Sequence, residues 1–343
     1  MSEPTYDLLS PLPWVSLGEW PTPIRAVEVA GVPPGRLWVK DEGLAGTVYG
    51  GNKVRKLEFL LASARARGAT ELVTVGAAGS HHVLATALYG HTQGMRTHAL
   101  LFSQPETDHA RRNLSLIAAQ CASLRPCRRR WALPFAAVAT WRNASRAGIP
   151  YYVPPGGSDV VGSLGWLRAG LEIGVAVGDG TLPEPDRIYV PVGTGGTAAG
   201  LLVGLRLAGL RSELVGVRVV PFPLGTRWVV RRLVRRLVRF LRRNAVALPP
   251  LSFPPYRVES GWISGGYGRT DARVEAVERE AAEVGLVVEA TYTAKCLGAC
   301  LSDLRAADTP FTALFIDTVN SRALEPSGGV NPLPVELEAL LTL

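Results

Sequence analysis

Short apolar runs alternate along the chain with longer segments in which apolar residues recur every three or four positions. Runs of the first kind are typical of buried strands, and segments of the second kind are typical of amphipathic helices. The predicted strands are 37–40, 71–75, 96–102, 187–192, 214–220 and 311–316. The predicted helices are 54–67, 83 to about 94, 108–120, 133–147, 160–177, 200–208, 227–243, 271–284 and 294–306. This alternation predicts an α/β fold with mostly parallel sheets flanked by helices.

The alternation is interrupted at Val153–Ser158, where proline and glycine cluster. Such a change in composition is typical of a crossing between domains. A chain of 343 residues with 47% hydrophobic residues is long enough for two lobes that share a cleft. We therefore expect two lobes, and we find no internal repeat of fixed period.

Lysine is rare in this chain, which narrows the search for a reactive amine. Of the 37 basic residues only Lys40, Lys53, Lys56 and Lys295 are lysines, and arginine does not lose its proton. Lys40 ends an apolar run, and Lys56 and Lys295 lie within helical patterns, where a solvated charge is expected. Lys53 lies where a loop meets a helix, directly after Gly50–Asn52, and glycines there let the backbone approach a ligand. Taken alone, Lys53 fits an exposed charge in the first helical turn better, but together with the motifs that follow along the chain the sequence predicts Lys53 as the reactive residue.

A strand, a glycine-rich turn and a helix succeed one another at Val190–Gly200. Backbone N–H groups at such a helix start face outward and the helix dipole favours an anion, so the turn predicts a phosphate site. The spacing of Gly193–Ala198 also fits the dinucleotide fingerprint. A dinucleotide site needs an acidic residue at the end of the next strand, but that strand ends in Val219–Pro221 and Glu213 precedes it. A nicotinamide cofactor is therefore disfavoured.

The segment Gly50–Glu58 resembles the cofactor-lysine segment of the pyridoxal-phosphate (PLP) enzymes of fold type II. The branch it resembles is that of D-cysteine desulfhydrase and 1-aminocyclopropane-1-carboxylate (ACC) deaminase, and the similarity runs from about residue 22 to Thr318. The resemblance implies a two-lobed fold like that of the tryptophan synthase β subunit. It also implies a large PLP-binding domain of residues 1–53 plus 153–343 and a small domain of residues 54–152.

The resemblance implies roles for the residues of the cofactor site. Lys53 would bind pyridoxal 5'-phosphate covalently, with Asn52 beside it. The loop that holds the phosphate group would consist of Gly193, Thr194, Gly195, Gly196 and Thr197. No metal ion is implied.

Ser80-His81-His82 comes after a predicted strand and precedes a helix. Taken alone, it fits an ordinary N-cap serine with two exposed histidines equally well. Relatives carry Ser-Asn-His here; their serine contacts the substrate or assists proton transfer, and their asparagine bonds the cofactor's ring hydroxyl. The resemblance therefore implies that Ser80 and His82 contact the substrate and that His81 contacts both cofactor and substrate. Because an imidazole replaces the amide, its protonation state becomes relevant.

Tyr267 and Tyr292 lie in segments that resemble the two active-site tyrosine segments of the branch. A phenol within reach of a leaving group can act as a general acid, although either tyrosine alone also fits a packed aromatic residue. ACC deaminases carry a glutamate at the position of Thr293, against the ring nitrogen. The neutral threonine resembles the desulfhydrases and weakens the electron sink.

The clearest departure from the branch is Asp317–Asn320. Desulfhydrases carry His-Thr-Gly-Gly here, with the threonine near the ring nitrogen. Thr318 is retained, but Asp317 replaces the histidine and Val319 and Asn320 replace the glycines. Larger side chains at such a turn are expected to reshape this wall of the pocket.

The function predicted from these residues is that of a PLP-dependent lyase or deaminase. It would act on a small amino acid by α,β-elimination to a keto acid and ammonia, as D-cysteine desulfhydrase does. Three alternatives stay open: β- or γ-replacement or cyclopropane-type chemistry in specialised metabolism, a catalytically altered PLP-binding homologue, and a basic module that binds membranes or polyanions. A homodimer is implied by the resemblance alone.

The net charge of +8 comes in large part from the arginines of 227–243, which alternate with apolar residues at helical spacing. We favour a surface helix with a solvated face and expect no nucleic-acid or membrane partner. We expect no apolar run long enough to cross a bilayer, and Met1–Pro4 does not resemble the start of a secretory signal. A cytoplasmic location is therefore expected. The four cysteines show no Cys-x-x-Cys spacing, which favours buried thiols.

Overall fold

The computed structural model describes residues 7–244, 246, 248, 253, 255–324 and 333–342. Met1–Pro4 lies outside these residues. The strands are β1 (Ile24–Ala26), β2 (Leu37–Asp41), β3 (Glu71–Ala77), β4 (Arg96–Phe102), β5 (Gln104–Pro105), β6 (Ser123–Cys127), β7 (Pro150–Val153), β8 (Arg187–Val192), β9 (Glu213–Arg218), β10 (Tyr256–Glu259), β11 (Ala313–Asp317) and β12 (Leu341–Thr342). The helices are α1 (Lys53–Ala66), α2 (His81–Thr92), α3 (Asp108–Gln120), α4 (Leu133–Ala147), α5 (Val160–Gly178), α6 (Gly196–Leu207), α7 (Arg227–Arg243), α8 (Ala272–Glu283), α9 (Thr293–Arg305) and α10 (Val335–Glu338).

The chain divides into two compact units. Unit 1 comprises the described residues of Met1–Leu12, Gly18–Lys56 and Ser158–Ser321, and unit 2 comprises those of Pro13–Leu17, Leu57–Gly157 and Arg322–Leu343. The breaks after Lys56 and Gly157 lie within five residues of the predicted boundaries. The C-terminal segment joins unit 2 because β12 pairs in parallel with β5.

Unit 1 is built on a six-stranded sheet with the order β1-β2-β11-β8-β9-β10. Every pair in it is parallel except β1–β2, which forms an antiparallel edge. Strand β11 is buried along its whole length because it lies in the middle of the sheet. Helices α5 and α6 pack closely together, and α8 and α9 pack on each other and share one core with β2, β8, β9 and β11.

Unit 2 is built on a parallel four-stranded sheet with the order β6-β4-β3-β7. Helix α2 packs on β3 and β4 and against α3, and α4 also packs on this sheet. Each parallel strand therefore connects to the next through a helix, as the alternating pattern predicts.

The predicted α/β fold is confirmed, and several bounds match those of the structure, including those of β4, β8, α3, α4 and α7. The pattern missed β1, β5, β6, β7, β10 and β12, and it missed the short helix α10. Strand β6 contains Pro126 and exposed Arg125, and such short edge strands carry no apolar run. Helix α6 begins four residues before the predicted helix body. The prediction began too late because it assigned Gly196 and the residues after it to the glycine-rich turn.

The expectation that no segment could cross a bilayer needs correction for one helix. Among the described residues α5 is long and apolar enough by length and composition, with a mean hydropathy of 1.4. In the structure 67% of its 18-residue apolar window is buried, and the helix packs against α6 and α7. Its composition therefore reflects a place in the core of unit 1.

Helix α7 has one apolar face and one basic face, as predicted. The apolar face is buried: Val230, Leu233, Val234, Leu237 and Leu241. The helix packs against α5, α6 and β10, and its arginines are exposed to solvent. This arrangement agrees with a surface helix whose apolar side belongs to the core.

The four cysteines, Cys121, Cys127, Cys296 and Cys300, are free thiols. Burial raises the pKa of Cys296 and of Cys300 well above the ordinary value. Within the described ranges no group of three or more His, Cys, Asp or Glu side chains could hold a metal ion.

A buried ionic cluster holds the first turn of α1 in unit 1. The Arg55 guanidinium donates to both carboxylate oxygens of Glu42 and both of Glu172. Lys40 Nζ lies 3.2 Å from Glu172, and the guanidinium of Arg55 stacks 3.9 Å above the Trp20 ring. Because every charge has a close partner of opposite sign, the cluster can be buried without stranding an ion.

Candidate active site

The loop before Lys53 is anchored to the turn after β11, within unit 1. Gly50 N donates to Asn320 Oδ1 at 2.6 Å, and Asn52 N donates to the carbonyl of Thr318 at 3.1 Å. Gly51 has φ +82°, and a Cβ there would lie 2.7 Å from the Thr318 carbonyl oxygen. Only glycine satisfies both conditions, so the loop and the turn are matched to each other.

Lys53 is the first residue of α1 and is partly buried. Its Nζ donates to Asn52 Oδ1 at 2.5 Å. Burial lowers the pKa of Lys53 to about 8, while the carboxylate of Glu289 opposes that shift. A much larger fraction of this amine is therefore neutral and nucleophilic near neutral pH than of an ordinary lysine.

Lys56 was expected to be solvated, and that expectation is wrong. Its side chain is buried, and its Nζ donates to Ser158 Oγ at 3.1 Å. Ser158 Oγ also accepts from Thr194 Oγ1 at 2.6 Å and from Gly196 N at 3.3 Å. Burial, aided by Lys53, lowers the pKa of Lys56 well below the ordinary value, while Asp159 opposes the shift. Sequence reasoning missed this lysine because helical spacing alone does not tell which face is covered.

The glycine loop leads into α6, and Gly195 is its N-cap with φ +90°. This residue has no side chain that could accept hydrogen bonds from the first turn of the helix. A Cβ on Gly196 would lie 2.6 Å from Ser158 Oγ, so a residue with a side chain does not fit at this position. With the Thr194 and Ser158 hydroxyls and the amine of Lys56 nearby, this loop fits a phosphate group.

The two predicted tyrosines meet in unit 1. Tyr292 Oη donates to Tyr267 Oη at 2.7 Å, and the rings pack edge to face with centroids 5.8 Å apart. Burial raises the pKa of Tyr267 to about 12, and it raises the pKa of Tyr292 well above the ordinary value. Both hydroxyls therefore keep their protons near neutral pH, which is the state a general acid needs.

Glu289 organises the turn that carries Tyr292, and the sequence pattern did not single it out. Its carboxylate accepts from the N–H groups of Thr291, Tyr292 and Thr293 at 2.8–3.2 Å. The Thr293 hydroxyl in turn accepts from Glu289 N at 2.8 Å. An acidic residue just before a helix is a typical N-terminal capping signal, and it could have identified this position.

Lys295 is also buried, contrary to the expected solvated charge. Its Nζ donates to the carbonyls of Ile263 and Gly266 at 3.0 and 3.2 Å. Lys295 thus connects α9 to the loop that contains Tyr267. Burial lowers its pKa, and Glu289 and Asp271 oppose that shift.

Asp317 is a buried carboxyl group at the end of β11. Burial, together with Asp41, holds its pKa far above the usual range, and it accepts a hydrogen bond from Val319 N at 3.4 Å. Ser264 is the one residue other than glycine with a positive φ in the described part of the chain. Val319 and Asn320 therefore fit the rebuilt turn without left-handed backbone.

Ser80 and His82 begin α2 in unit 2. Ser80 is the N-cap, and its Oγ accepts from Val83 N at 3.4 Å. His82 is buried, and its Nε2 lies 2.9 Å from Thr74 Oγ1, which donates to the Val153 carbonyl. His82 therefore links α2 to β3 and β7, a structural contact that adds to its predicted role.

His81 is partly buried at the first position of α2 and meets His109 of α3. Their Nε2 atoms are 2.7 Å apart, and the ring centroids are 4.4 Å apart. Asn113 Nδ2 lies 3.1 Å from His109 Nε2. His109 escaped the sequence analysis because nothing in the spacing from residue 81 to residue 109 indicates that the two helices meet.

The predicted site residues are divided between the two units. Unit 1 holds Asn52, Lys53, Gly193, Thr194, Gly195, Gly196, Thr197, Tyr267, Tyr292, Thr293 and Thr318. Unit 2 holds Ser80, His81 and His82. Within unit 1, Lys53 and both tyrosines lie close enough to Glu289 for its charge to act on their pKa values. The catalytic and binding roles of these residues stay predictions.

Comparison with known proteins gives the chain a family. Residues 15–310 match the family described as pyridoxal-phosphate dependent enzyme. The chain is 35% identical over 340 residues to nocardicin C-9' epimerase of Nocardia uniformis, covering 95% of this chain and 98% of that protein. It is 30% identical over 334 residues to D-cysteine desulfhydrase of Salmonella paratyphi A, covering 92% and 96%.

A solved structure gives the same result. The crystal structure of an ACC deaminase homologue superposes with a TM-score of 0.79 at 27% identity, covering 93% of this chain and 95% of that one. The predicted cofactor, pyridoxal phosphate, and the predicted enzyme class of PLP-dependent lyase or deaminase are confirmed. The chain belongs to the pyridoxal-phosphate-dependent enzymes of fold type II, in the branch of ACC deaminase and D-cysteine desulfhydrase.

Proposed function

We propose that this enzyme removes the α-proton of a small amino acid and then releases a substituent from the β-carbon. The products are a keto acid and ammonia, as for D-cysteine desulfhydrase. The observation that carries the proposal is the amine of Lys53, whose pKa is lowered to about 8 at the end of an anchored loop. An amine of that pKa can act both as a nucleophile and as a base near neutral pH.

The residues of unit 1 fit the cofactor. The first turn of α6, the hydroxyls of Thr194 and Ser158 and the amine of Lys56 would hold its phosphate group. Lys53 would bind its aldehyde carbon, with Asn52 beside that amine. Bound pyridoxal phosphate supplies an electron sink that stabilises negative charge at the α-carbon. By resemblance, His81, Thr293 and Thr318 contact the ring, and Ser80 and His82 contact the substrate.

Lys53 has two tasks in this proposal. Its amine would hold the cofactor and, when free, would take the α-proton of the substrate. Because Glu289 lies near enough to favour the protonated form, Lys53 can keep that proton for a later step. The same side chain therefore serves as nucleophile, base and acid in turn.

Tyr267 and Tyr292 would protonate the group that leaves the β-carbon. Their hydroxyls share a hydrogen bond of 2.7 Å, so a proton given up by one can be replaced from the other. Burial keeps both phenols protonated near neutral pH, so a proton is present for the leaving group.

Epimerisation of an amino-acid stereocentre is the second candidate. It is favoured by the 35% identity to nocardicin C-9' epimerase, which extends over 98% of that protein. Both reactions begin with removal of the α-proton, and they differ in the next step: a β-substituent leaves, or a proton returns to the α-carbon. The substitutions at Asp317, Val319 and Asn320 suit a substrate that differs from that of the desulfhydrases.

One experiment separates the two candidates. The purified enzyme is incubated in D2O with D-cysteine, L-cysteine, ACC, and both enantiomers of phenylglycine, whose side chain offers no β-substituent that can leave. NMR and a keto-acid assay monitor the products. Elimination predicts a keto acid from D- or L-cysteine, whereas epimerisation predicts deuterium at the α-carbon with inversion and without keto acid. ACC has no α-proton, so a keto acid formed from ACC alone would contradict the proposed α-proton removal. If none of these amino acids took up deuterium or gave a keto acid, that result would contradict the proposed α-proton removal.

We also propose a homodimer located in the cytoplasm, as expected from the resemblance. Light scattering coupled to size-exclusion chromatography tests the first part, with a mass near twice 36.6 kDa as the expected result. A mass of one chain would contradict it.

A further inference from the structure

Two histidines of unit 2 form a pair that the sequence did not indicate. Nε2 of His81 and Nε2 of His109 are 2.7 Å apart, which is a hydrogen-bond distance. Two ring nitrogens can make this bond only if one carries a proton and the other offers a lone pair.

The contacts of Asn113 determine which of the two ring nitrogens donates the hydrogen bond. Its Nδ2 donates to the carbonyl of Gly79 at 3.0 Å, which fixes the amide nitrogen on that side, and the same Nδ2 lies 3.1 Å from His109 Nε2. An amide nitrogen donates and does not accept, so His109 Nε2 is an acceptor. His109 is then neutral, with its proton on Nδ1.

The proton in the pair therefore belongs to His81 Nε2, which donates to His109 Nε2. The single lone pair of His109 Nε2 is then shared in a three-centre hydrogen bond by His81 Nε2–H at 2.7 Å and, more distantly, by Asn113 Nδ2–H at 3.1 Å. The other ring nitrogen of His81, Nδ1, is an acceptor while His81 is neutral and a donor once His81 gains a proton. We propose that His81 and His109 act as one acid–base group that holds a single exchangeable proton at His81 Nδ1. His109 is a positioning residue here, because it acts through His81.

The chemistry of the pair limits it to one added proton. A proton on His81 Nδ1 strengthens the bond to His109, because hydrogen bonds from charged donors are the stronger ones. A second proton, on His109 Nε2, would remove the acceptor and bring two positive rings together. The pair should therefore titrate as a unit.

The segments around the pair carry other ionisable side chains. On α3, Asp108 precedes His109, Arg111 bonds Glu106 and Glu338, and the guanidinium of Arg112 donates to the Leu324 carbonyl. On α2, His82 is bonded to Thr74 of β3. The hydrogen bond between His81 and His109 is therefore the contact specific to this pair.

At this position His81 differs from the asparagine of the relatives in when it can donate a hydrogen bond. An asparagine amide is a fixed donor, whereas His81 Nδ1 donates only in the protonated pair. The catalytic use of the stored proton rests on the proposed function. The pairing itself does not, since both histidines and Asn113 lie in unit 2.

The test is a pH titration of the histidine ring nitrogens by NMR, on 15N-labelled holoenzyme without substrate. The chain has five histidines, so single substitutions assign every signal. We expect an Nε2–H form of His81 and an Nε2 lone pair on His109 at high pH, and one protonation step for the pair. In His109→Phe the pKa of His81 should fall by about one pH unit or more, because the acceptor is lost.

Two further variants sharpen the test. His109→Gln offers an amide oxygen as acceptor and should restore the Nε2–H form of His81, while exposed His91→Gln should change neither histidine. Thermal unfolding identifies a variant that has failed to fold. Independent titration of His81 and His109, or an unchanged His81 in His109→Phe, would overturn the proposal. Because no substrate is present, failure of the proposed reaction leaves this result interpretable.

Discussion

Asn320 and Gly50 are joined by a hydrogen bond of 2.6 Å from the backbone N–H of Gly50 to the side-chain oxygen of Asn320. The two residues are 270 positions apart in the sequence, and the bond ties the loop before Lys53 to the turn after β11. The desulfhydrases that this chain resembles carry glycine at the position of Asn320. In this chain Asn320 thus supplies a side chain that supports the loop before Lys53.

The first prediction concerns this bond. Asn320→Gly removes it and should weaken cofactor retention by about 2- to 10-fold, the range that corresponds to the net free energy of one hydrogen bond. The dissociation constant of pyridoxal phosphate, measured by absorbance after dialysis, checks the change. Asn143→Ala, which removes an exposed side-chain bond to Ser123 in unit 2, is the control. Equal retention in Asn320→Gly and the parent would show that the bond does not support the loop.

The second prediction concerns the pH at which the cofactor attaches. Only the neutral form of the Lys53 amine reacts, so the rate of attachment to cofactor-free protein should rise with pH around a midpoint of about 8. Glu289 favours the protonated amine, so Glu289→Gln should move this midpoint to lower pH. Stopped-flow absorbance gives both profiles. A midpoint near the ordinary lysine value of 10.5 would contradict the lowered pKa.

The third prediction concerns the tyrosine pair. Tyr292→Phe should reduce kcat by about 10²- to 10⁴-fold, as expected for loss of a general acid, and change KM little. Tyr267→Phe should have a related effect, and the double variant should lose much less than the product of the two, since the hydroxyls act as a unit. Steady-state rates on the amino acid identified by the D2O experiment provide the test. Multiplicative losses would show that the two hydroxyls act separately.

The fourth prediction concerns the buried ionic cluster. Burial alone would raise the pKa of Glu172, but Arg55 and Lys40 outweigh it and lower that pKa to about 2. A lowered folded-state pKa stabilises the protein above the unfolded value of 4.5, and this contribution is lost as the pH falls from there toward 2. Glu172→Gln should cost about 3–5 kcal/mol of unfolding free energy near neutral pH and much less in acid.

Urea unfolding of Glu172→Gln and the parent at several pH values measures that difference. Glu213→Gln is the matched control, because Glu213 pairs with Arg187 and Arg257 in a partly exposed cluster. Exposed pairs contribute at most about 1 kcal/mol. If the loss of unfolding free energy in Glu172→Gln did not change with pH, the predicted link between the pKa of Glu172 and stability would be contradicted.

Much of the fold can be predicted from local patterns in the sequence. The buried strands β4 and β8 and the helices α3 and α7 carry strong periodic signals, and their bounds match the structure. Strands β6 and β10 carry none, because edge strands with few apolar residues look like loops. Their pairing partners decide their conformation.

The site divides in the same way. Lys53 could be singled out because a rare residue type stands where a glycine-rich loop meets a helix, and the glycine loop because backbone N–H groups at such a helix start fit an anion. Their roles stay predictions. Lys56, Glu289 and His109 could not be singled out, since their importance comes from contacts that the local pattern does not encode, such as Ser158 for Lys56 and His81 for His109. The burial of Lys295 likewise depends on the loop at 263–266.

The central claim is that Lys53 is the residue that binds the cofactor. The most direct measurement is reduction of the holoenzyme with borohydride, then digestion and mass spectrometry of the peptides. The chain has four lysines, and we predict that the reduced cofactor is attached to Lys53 alone. Attachment to Lys40, Lys56 or Lys295, or a Lys53→Ala variant that still carries reducible cofactor, would contradict it.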